Sequence, residues 1–252
     1  MTPTSIFSYN ISRYLERNGL TRMRPKAALI DMDGTLYDSM PGHTNAWHRM
    51  ITELGIEATR EEFYLYEGMT GAATIDLIFN RAFNRDATLE EKERYYAIKT
   101  RYFKEQYTAP LMPGALKMLE AFTSTGMKCV LVTGSGQASL IDRVRHDFPD
   151  TFDEGMFVTS RDVIHGKPHP EPFLRGMDKA GVKPSQSIVM ENAPLGVEAG
   201  HASGAFTIGV TTGPIPRKTL EDAGADIVFN TMEECATTLP MLLTDLNNFR
   251  ND

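Results

Sequence analysis

The chain is short of cysteine, of long apolar runs and of positive charge, and each shortage narrows what it can be. Its 252 residues include two cysteines, Cys129 and Cys235, far apart and without metal-ligand spacing. That argues against a disulfide framework and a thiolate zinc site. Cys129 sits inside an apolar, strand-like run and reads as a buried free thiol, which fits a reducing, cytoplasmic setting. No apolar run is long enough to span a bilayer, so no membrane partner is expected. Arg13, Glu16 and Arg17 break up the N-terminal stretch where a signal peptide would need an apolar centre. The net charge of -7 argues against a nucleic-acid partner, which would need a basic face. It leaves a small phosphate-containing substrate open, because a bound cation and a few local donors can dominate the field of a site.

What is present suffices for a globular core. Hydrophobic residues make up 41% of the chain, and the length allows one large domain or a core with an insertion. Ile11, Tyr14 and Leu15 recur at helical spacing, so a short helix is expected within the N-terminal extension, residues 1–25. Five apolar runs, 27–30, 130–132, 188–190, 206–210 and 227–229, lack the alternation of half-solvated strands and read as buried parallel ones. Helical segments intervene at 114–125, 137–147, 171–180 and 194–203. This alternation implies an α/β fold, a doubly wound parallel sheet covered on both faces. Residues 40–109 break the rhythm with helical periodicity only: Trp47, Met50, Ile51 and Leu54 share one face, and Ile75, Ile78, Phe79 and Phe83 another. The charged stretch 89–107 reads as a long surface helix, and Pro110 and Pro113 mark the return to the core. The expected organisation is a catalytic core, 1–39 and 110–252, with a helical cap, 40–109, inserted after the first strand.

In an open parallel sheet, ligands bind outside the carboxyl ends of the strands, so the residues following each strand matter most. The first strand runs into Asp31-Met32-Asp33-Gly34-Thr35. Two carboxylates two residues apart at a buried strand end repel one another, and a cation such as Mg²⁺ would relieve them; turn or helix-capping aspartates are the competing reading. The second strand ends in Thr133-Gly134-Ser135-Gly136, a hydroxyl followed by exposed N–H groups, which suits an anion. A dinucleotide fingerprint competes there, but Ser139 stands where its third glycine would be. Lys167 lies between Gly166 and Pro168, and as an isolated residue reads as a surface lysine. Glu191-Asn192 end a third strand with two more oxygen donors, although Asn192 could equally cap the next helix. The neighbouring His165 and His169 read as turn residues. Jointly these segments offer a nucleophile, a proton donor, a phosphate clamp and a metal site.

The order DMDGT, VTGSG, GKP and VMENAPLG resembles the haloacid dehalogenase superfamily over nearly the whole chain. The helical insertion, with His43 and Trp47 at its start, resembles the β-phosphoglucomutase-like branch. The resemblance implies a Rossmann-like core and a phosphohydrolase in which Asp31 is the nucleophile and forms an aspartyl-phosphate. Asp33 is then general acid and base, and its presence sets the chain apart from the dehalogenases. Thr133, Gly134 and Ser135 would hold the phosphoryl oxygens, and Lys167 would neutralise Asp31 and the phosphoryl group. Mg²⁺ would be held by Asp31, the Asp33 carbonyl, Glu191 and Asn192. Asn192 departs from the usual second acid, and Glu67, in the cap segment Tyr66-Glu67-Gly68-Met69-Thr70-Gly71, is a candidate to supply the missing charge; an exposed helix-terminal glutamate is the alternative. Where β-phosphoglucomutases carry a phosphate-binding arginine, this chain has Gly71, an objection to mutase activity. Glu67 and Asn192 together are similar to the inorganic pyrophosphatases of the branch. That similarity implies pyrophosphate as substrate, with His43 and Lys99 beside the leaving group. A solvated helix lysine is the competing reading for Lys99, and a phosphatase of sugars or other small molecules is the competing activity.

Overall fold

The computed structural model describes residues 6–106, 108–136 and 138–250; the first five and last two residues, Tyr107 and Gln137 lie outside them. The chain opens with helix α1 (Ser8–Arg17) and strand β1 (Ala27–Ile30). Four helices follow without a strand: α2 (Met40–Glu53), α3 (Glu62–Leu65), α4 (Gly71–Phe83) and α5 (Leu89–Gln106). Strand–helix alternation then resumes with α6 (Ala115–Thr123), β2 (Lys128–Val132), α7 (Ala138–Asp147), β3 (Phe157–Val158) and α8 (Glu171–Ala180). It continues through β4 (Ser187–Glu191), α9 (Pro194–Ala202), β5 (Phe206–Val210), α10 (Arg217–Asp222), β6 (Ile227–Phe229) and α11 (Met232–Asn248).

The six strands form one parallel sheet in the order β3-β2-β1-β4-β5-β6. Its faces explain the unbroken apolar runs. Ala28 and Ile30 of β1 and Leu131 of β2 join the core cluster that includes Ile11, Phe122 and Leu242, from α1, α6 and α11. Leu29, Val130 and Val132 join the other, with Phe173 and Met177 of α8. Both faces are therefore covered, and successive residues are apolar whichever way they point.

The direction in which strands are added reverses at β1, with β2 and β3 laid down on one side and β4, β5 and β6 on the other. This is the switch point at which open α/β sheets bind ligands. Ile30 is in register with Leu131 of β2 and Met190 of β4. Asp31, Thr133 and Asn192 consequently leave the sheet at nearly one level.

The strands match the expected ones closely, except for β3, whose two residues are too few to show a pattern; α3, α10 and α11 add to the expected helices. One expectation needs correcting. Helix α5 is not a pure surface helix, because Lys99, Tyr102 and Phe103 are buried. It packs beside α2, and Arg49 of α2 stacks on the Tyr102 ring at 3.7 Å. Side-chain caps start two other helices where the chain turns: the Thr70 hydroxyl accepts from Ala73 N–H at the head of α4, and that of Thr231 from Glu234 N–H at the head of α11. Among the described residues no helix is long and apolar enough to cross a membrane.

Candidate active site

Asp31 is buried at the end of β1. The ammonium of Lys167 donates to its Oδ1 at 2.5 Å and to the Val132 carbonyl at 3.1 Å, and lies 2.6 Å from Glu191 Oε1. Two of its N–H groups thus have acceptors, and Glu191 Oε1, buried without a hydrogen-bond partner, meets the ammonium as an ion pair. Glu191 is also buried, and its Oε2 accepts the N–H groups of Asn192 and Ala193 at 3.1 and 3.3 Å. The next helix can approach this carboxylate only because residue 196 is glycine: a Cβ there would lie 2.0 Å from the Glu191 carboxyl carbon. Burial pushes the Asp31 carboxyl well above its ordinary range, against the pull of Lys167. Burial alone would lower the Lys167 pKa, but the two carboxylates beside it raise it. The surface reading of Lys167 is overturned: it is 3% exposed.

Asp33 points to a second network. Its Oδ1 accepts from Ser39 Oγ at 2.6 Å and lies 3.0 Å from His43 Nε2. The other ring nitrogen of His43 is 2.7 Å from Lys99 Nζ. An ammonium can only donate, so His43 accepts at Nδ1 and gives its Nε2 hydrogen to Asp33. The imidazole stacks on Phe103 at 4.0 Å, and the Lys99 ammonium lies 5.1 Å from the Trp47 ring centroid. Lys99 is buried, not solvated, which corrects the reading of it as a helix-surface residue. Burial lowers its pKa to about 8. Burial likewise lowers that of His43, with Lys99 adding to the effect. Burial pushes Asp33 up, but His43 and Ser39 outweigh it and bring its carboxyl down to about 2.

The loop after β2 brings Thr133, Gly134 and Ser135 to the same edge. Thr133 Oγ accepts from Ser135 N–H at 3.1 Å, which leaves the hydroxyl hydrogen free to turn toward an anion. Gly134 is pressed by the segment ahead of α4: a Cβ there would meet the carbonyl oxygens of Gly68 and Met69 at 2.9 Å.

That segment also carries Glu67 inward. Glu67 is 8% exposed, and its Oε1 accepts from Asn192 Nδ2 at 2.9 Å. The helix-terminal, exposed alternative for Glu67 is thus excluded. Asn192 accepts in turn from Thr35 Oγ1 at 3.1 Å rather than capping the helix after it. Gly34, at φ +78°, passes beneath this pair; a Cβ would sit 2.0 Å from Asn192 Nδ2 and 2.8 Å from Glu67 Oε1. Burial pushes the Glu67 carboxyl well above its ordinary range.

The two networks and this segment enclose a cavity of about 70 Å³, bordered by Asp31, Asp33, Glu67, Thr133, Lys99 and Tyr96 among others. Every strand-end residue singled out from the sequence, except the lysine's companion histidines, lies on this site or directly behind it. His165 and His169 are exposed, their tilted rings 4.8 Å apart. Ser39 and Tyr96 belong to no motif, and Thr35, though part of DMDGT, has no role that the sequence assigns; only the position of Tyr96, three residues before Lys99 on α5, hints at a shared face.

A model of haloacid dehalogenase-like hydrolases matches residues 25–204. The chain belongs to that family. It is the phosphohydrolase that its strand-end motifs imply. Among its relatives, Hexitol phosphatase A of Escherichia coli (strain K12) is 30% identical over 86% of this chain and 95% of that protein. The Phosphorylated carbohydrates phosphatase of Thermotoga maritima is 29% identical over 79% of this chain and 92% of that protein. Among solved structures, a Bacteroides vulgatus protein provisionally named a β-phosphoglucomutase superposes with a TM-score of 0.91 at 42% identity, covering 96% of this chain and 98% of that one.

Proposed function

We propose that this enzyme is a Mg²⁺-dependent phosphohydrolase acting through Asp31, and that inorganic pyrophosphate is its preferred substrate. The observation that carries the reading is Glu67 buried against Asn192, which closes the helical cap over a cavity of about 70 Å³. The buried Lys99 ammonium on the cap side of that cavity suits an anionic leaving group such as phosphate better than a neutral sugar.

The metal fits the residues on grounds of charge. Three buried carboxylates, Asp31, Glu67 and Glu191, face one buried ammonium, Lys167, and a divalent cation would balance them. Among the described residues no three His, Cys, Asp or Glu side chains are grouped to hold a metal by themselves. Mg²⁺ needs fewer, since it takes one or two carboxylates and keeps several waters. Asp31, Glu67, Asn192 and the Asp33 carbonyl would hold it, with Glu191 behind them. Glu67 and Asn192 also border a second cavity of about 260 Å³, which leaves room for those waters. Bound there, the ion supplies positive charge to Asp31 and to the phosphoryl oxygens.

The protein's own groups account for the rest. Lys167 holds Asp31 at 2.5 Å in a fixed direction and offsets charge as a carboxylate oxygen attacks phosphorus. An Asp31 O–P bond forms while the bond to the leaving phosphate breaks. Thr133, Ser135 and the loop's N–H groups receive the oxygens of the transferring group. Water then attacks phosphorus, the Asp31 O–P bond breaks, and Asp33 takes the proton. An ionised Asp33 at rest suits that base step. Phosphate is a far weaker base than a sugar alkoxide, so it leaves with less need of an acid. His43 and Lys99 hold Asp33 in place and put a positive charge beside the leaving group.

A second reading follows from the relatives, whose names speak of hexitol phosphate and phosphorylated carbohydrates. It requires the cap to open and stay partly open around a sugar. The deciding test is kcat/KM for pyrophosphate against hexitol and hexose phosphates with Mg²⁺ present. A preference for pyrophosphate of a hundredfold or more is expected, and the reverse order hands the site to the carbohydrate reading. Glu67→Gln should weaken Mg²⁺ affinity by roughly 10–100-fold, the usual effect of altering a residue that supports a metal site. Isothermal titration with Mg²⁺ reads this directly, and an unchanged affinity would remove Glu67 from the metal site.

A further inference from the structure

We propose that Arg143 and Asp147 of α7 are positioning residues that hold the cap closed, by gripping both linkers on which it turns. The proposal rests on the reading that Glu67 closes the cap over the site, and adds what keeps the cap there.

The linkers are 34–39, leading into the cap, and 108–112, leading back. They run side by side: the Asp38 N–H donates to the Pro110 carbonyl and the Met112 N–H to the Leu36 carbonyl, both at 2.9 Å. Arg143 reaches each of them. Its Nη1 and Nη2 donate to the carbonyls of Thr108 and Ala109 at 2.8 and 2.5 Å, and its guanidinium carbon lies 4.4 Å from the Tyr37 ring centroid. A planar fork of donors suits two adjacent carbonyls and an aromatic face at once. Its Nε donates to Asp147 Oδ2 at 3.1 Å, and the same oxygen accepts the Tyr37 hydroxyl at 3.0 Å. One ion pair on a core helix thus fastens both linkers. None of these residues borders the catalytic cavity.

The return linker is strained where it is gripped. Ala109 is buried and has φ +46°, a left-handed backbone that a residue with a Cβ seldom adopts. Such a conformation persists only when its surroundings hold it. Arg143 does so through the carbonyl of this residue and of the one before. Letting go would free Ala109 to relax to extended backbone and the linkers to part. The first linker also supports the chemistry, since Gly34 N–H donates to the Tyr37 carbonyl at 2.8 Å and Ser39 Oγ donates to Asp33. Arg143 and Asp147 therefore act on Asp33 and Glu67 without touching substrate.

The test begins with amide hydrogen exchange in the wild type, Arg143→Met and Tyr37→Phe. The Asp38 and Met112 amides should exchange roughly tenfold faster or more in Arg143→Met, because a hydrogen bond to a charged group is worth about that factor. Amides of β4 and β5 should keep their rates. If Arg143→Met folds poorly, Tyr37→Phe removes one hydroxyl and keeps the ring, and the same two amides should speed up by roughly threefold or more. Unchanged exchange at both amides in the folded variants overturns the proposal. The second arm is kcat/KM for pyrophosphate with Mg²⁺, which should fall at least fivefold in Arg143→Met. Ala109→Gly should leave the wild-type value within twofold, yet restore most of the loss in Arg143→Met, since glycine holds a positive φ without a clamp. Damage to α7 alone could not be repaired at position 109, so absence of rescue also sinks the proposal. A wild type that hydrolyses no phosphate compound removes the hydrolase reading, while the exchange rates still decide on the clamp. A wild type that turns over pyrophosphate, with neither faster exchange nor rescue in the variants, removes the clamp alone.

Discussion

At the scale of single residues the site is a problem of buried charge. Lys167 is the ammonium set between Asp31 and Glu191, at 2.5 and 2.6 Å, and all three are almost fully buried. Removing one partner of such a group leaves charge without compensation, which typically costs about 3–5 kcal/mol. Lys167→Met should therefore destabilise the enzyme by about that amount in denaturant melts. Asp31→Asn should abolish turnover, an amide being a poor nucleophile, while leaving stability near the wild type because Lys167 keeps Glu191. Equal stability losses in the two variants would contradict this account of the triad. These residues were legible in the sequence for a general reason. Parallel strands deliver their carboxyl ends to one edge whatever the details of topology, so Asp31, Asp33, Thr133, Glu191 and Asn192 could be collected by position alone. Lys167 follows no strand and was visible only as a member of the family pattern. The burial of Glu67 and the bonding of Ser39 to Asp33 were not legible, because both depend on how a loop folds back over that edge.

At the scale of elements the same limit reappears in α5. Its sequence is charged on several sides, and periodicity does not say which side meets α2. The structure turns Lys99, Tyr102 and Phe103 inward, so an expected surface helix supplies a wall of the cavity. Strand β3 escaped for another reason: two residues carry no period, and only its pairing with Leu131 and Val132 makes it a strand. Burying Lys99 leaves a signature in pH dependence. Its pKa is about 8 in the folded chain against an ordinary 10.5. Between those values the unfolded chain binds more protons at this site, so its contribution to stability rises with pH across that window. Below about pH 8 both states are protonated and the folded state bears the whole penalty, on the order of a few kcal/mol at ~1.4 per pH unit. Lys99→Met removes the titration. Its Tm should exceed that of the wild type at pH 7, and the gap should close as pH approaches 10.5. Melts at pH 7, 9 and 10.5 check this, and a gap constant with pH would mean that the ammonium is solvated.

At the scale of the whole molecule, the active site occupies one edge of the sheet, and the chain's beginning is spent on stability elsewhere. Helix α1 precedes the segment matched by the family model, 25–204, yet Ile11, Tyr14 and Leu15 are fully buried. It docks near the far strands. Tyr14 meets Phe206 of β5 edge-on at 5.2 Å and donates to the Gly204 carbonyl at 3.1 Å. Asn10 donates to the Asp226 carbonyl at 2.6 Å, and Arg17 pairs with the Asp226 carboxylate at 2.9 Å, more than 200 residues along the chain. Burial raises the Asp226 carboxyl above its ordinary pKa even beside Arg17, so the helix shields a group that would otherwise meet water. None of these residues borders the catalytic cavity. Truncating a buried aromatic to alanine costs about 3–5 kcal/mol, and for a chain of this size each kcal/mol lowers Tm by roughly 2–4 °C. Tyr14→Ala should accordingly lose roughly 6–20 °C in Tm while kcat/KM at 25 °C stays within about twofold of the wild type. A Tm loss under about 2 °C would show α1 to be loosely docked. A large fall in kcat/KM in the still-folded variant would tie the N-terminal helix to catalysis through the sheet, and the separation of stability from chemistry argued from its position would fail.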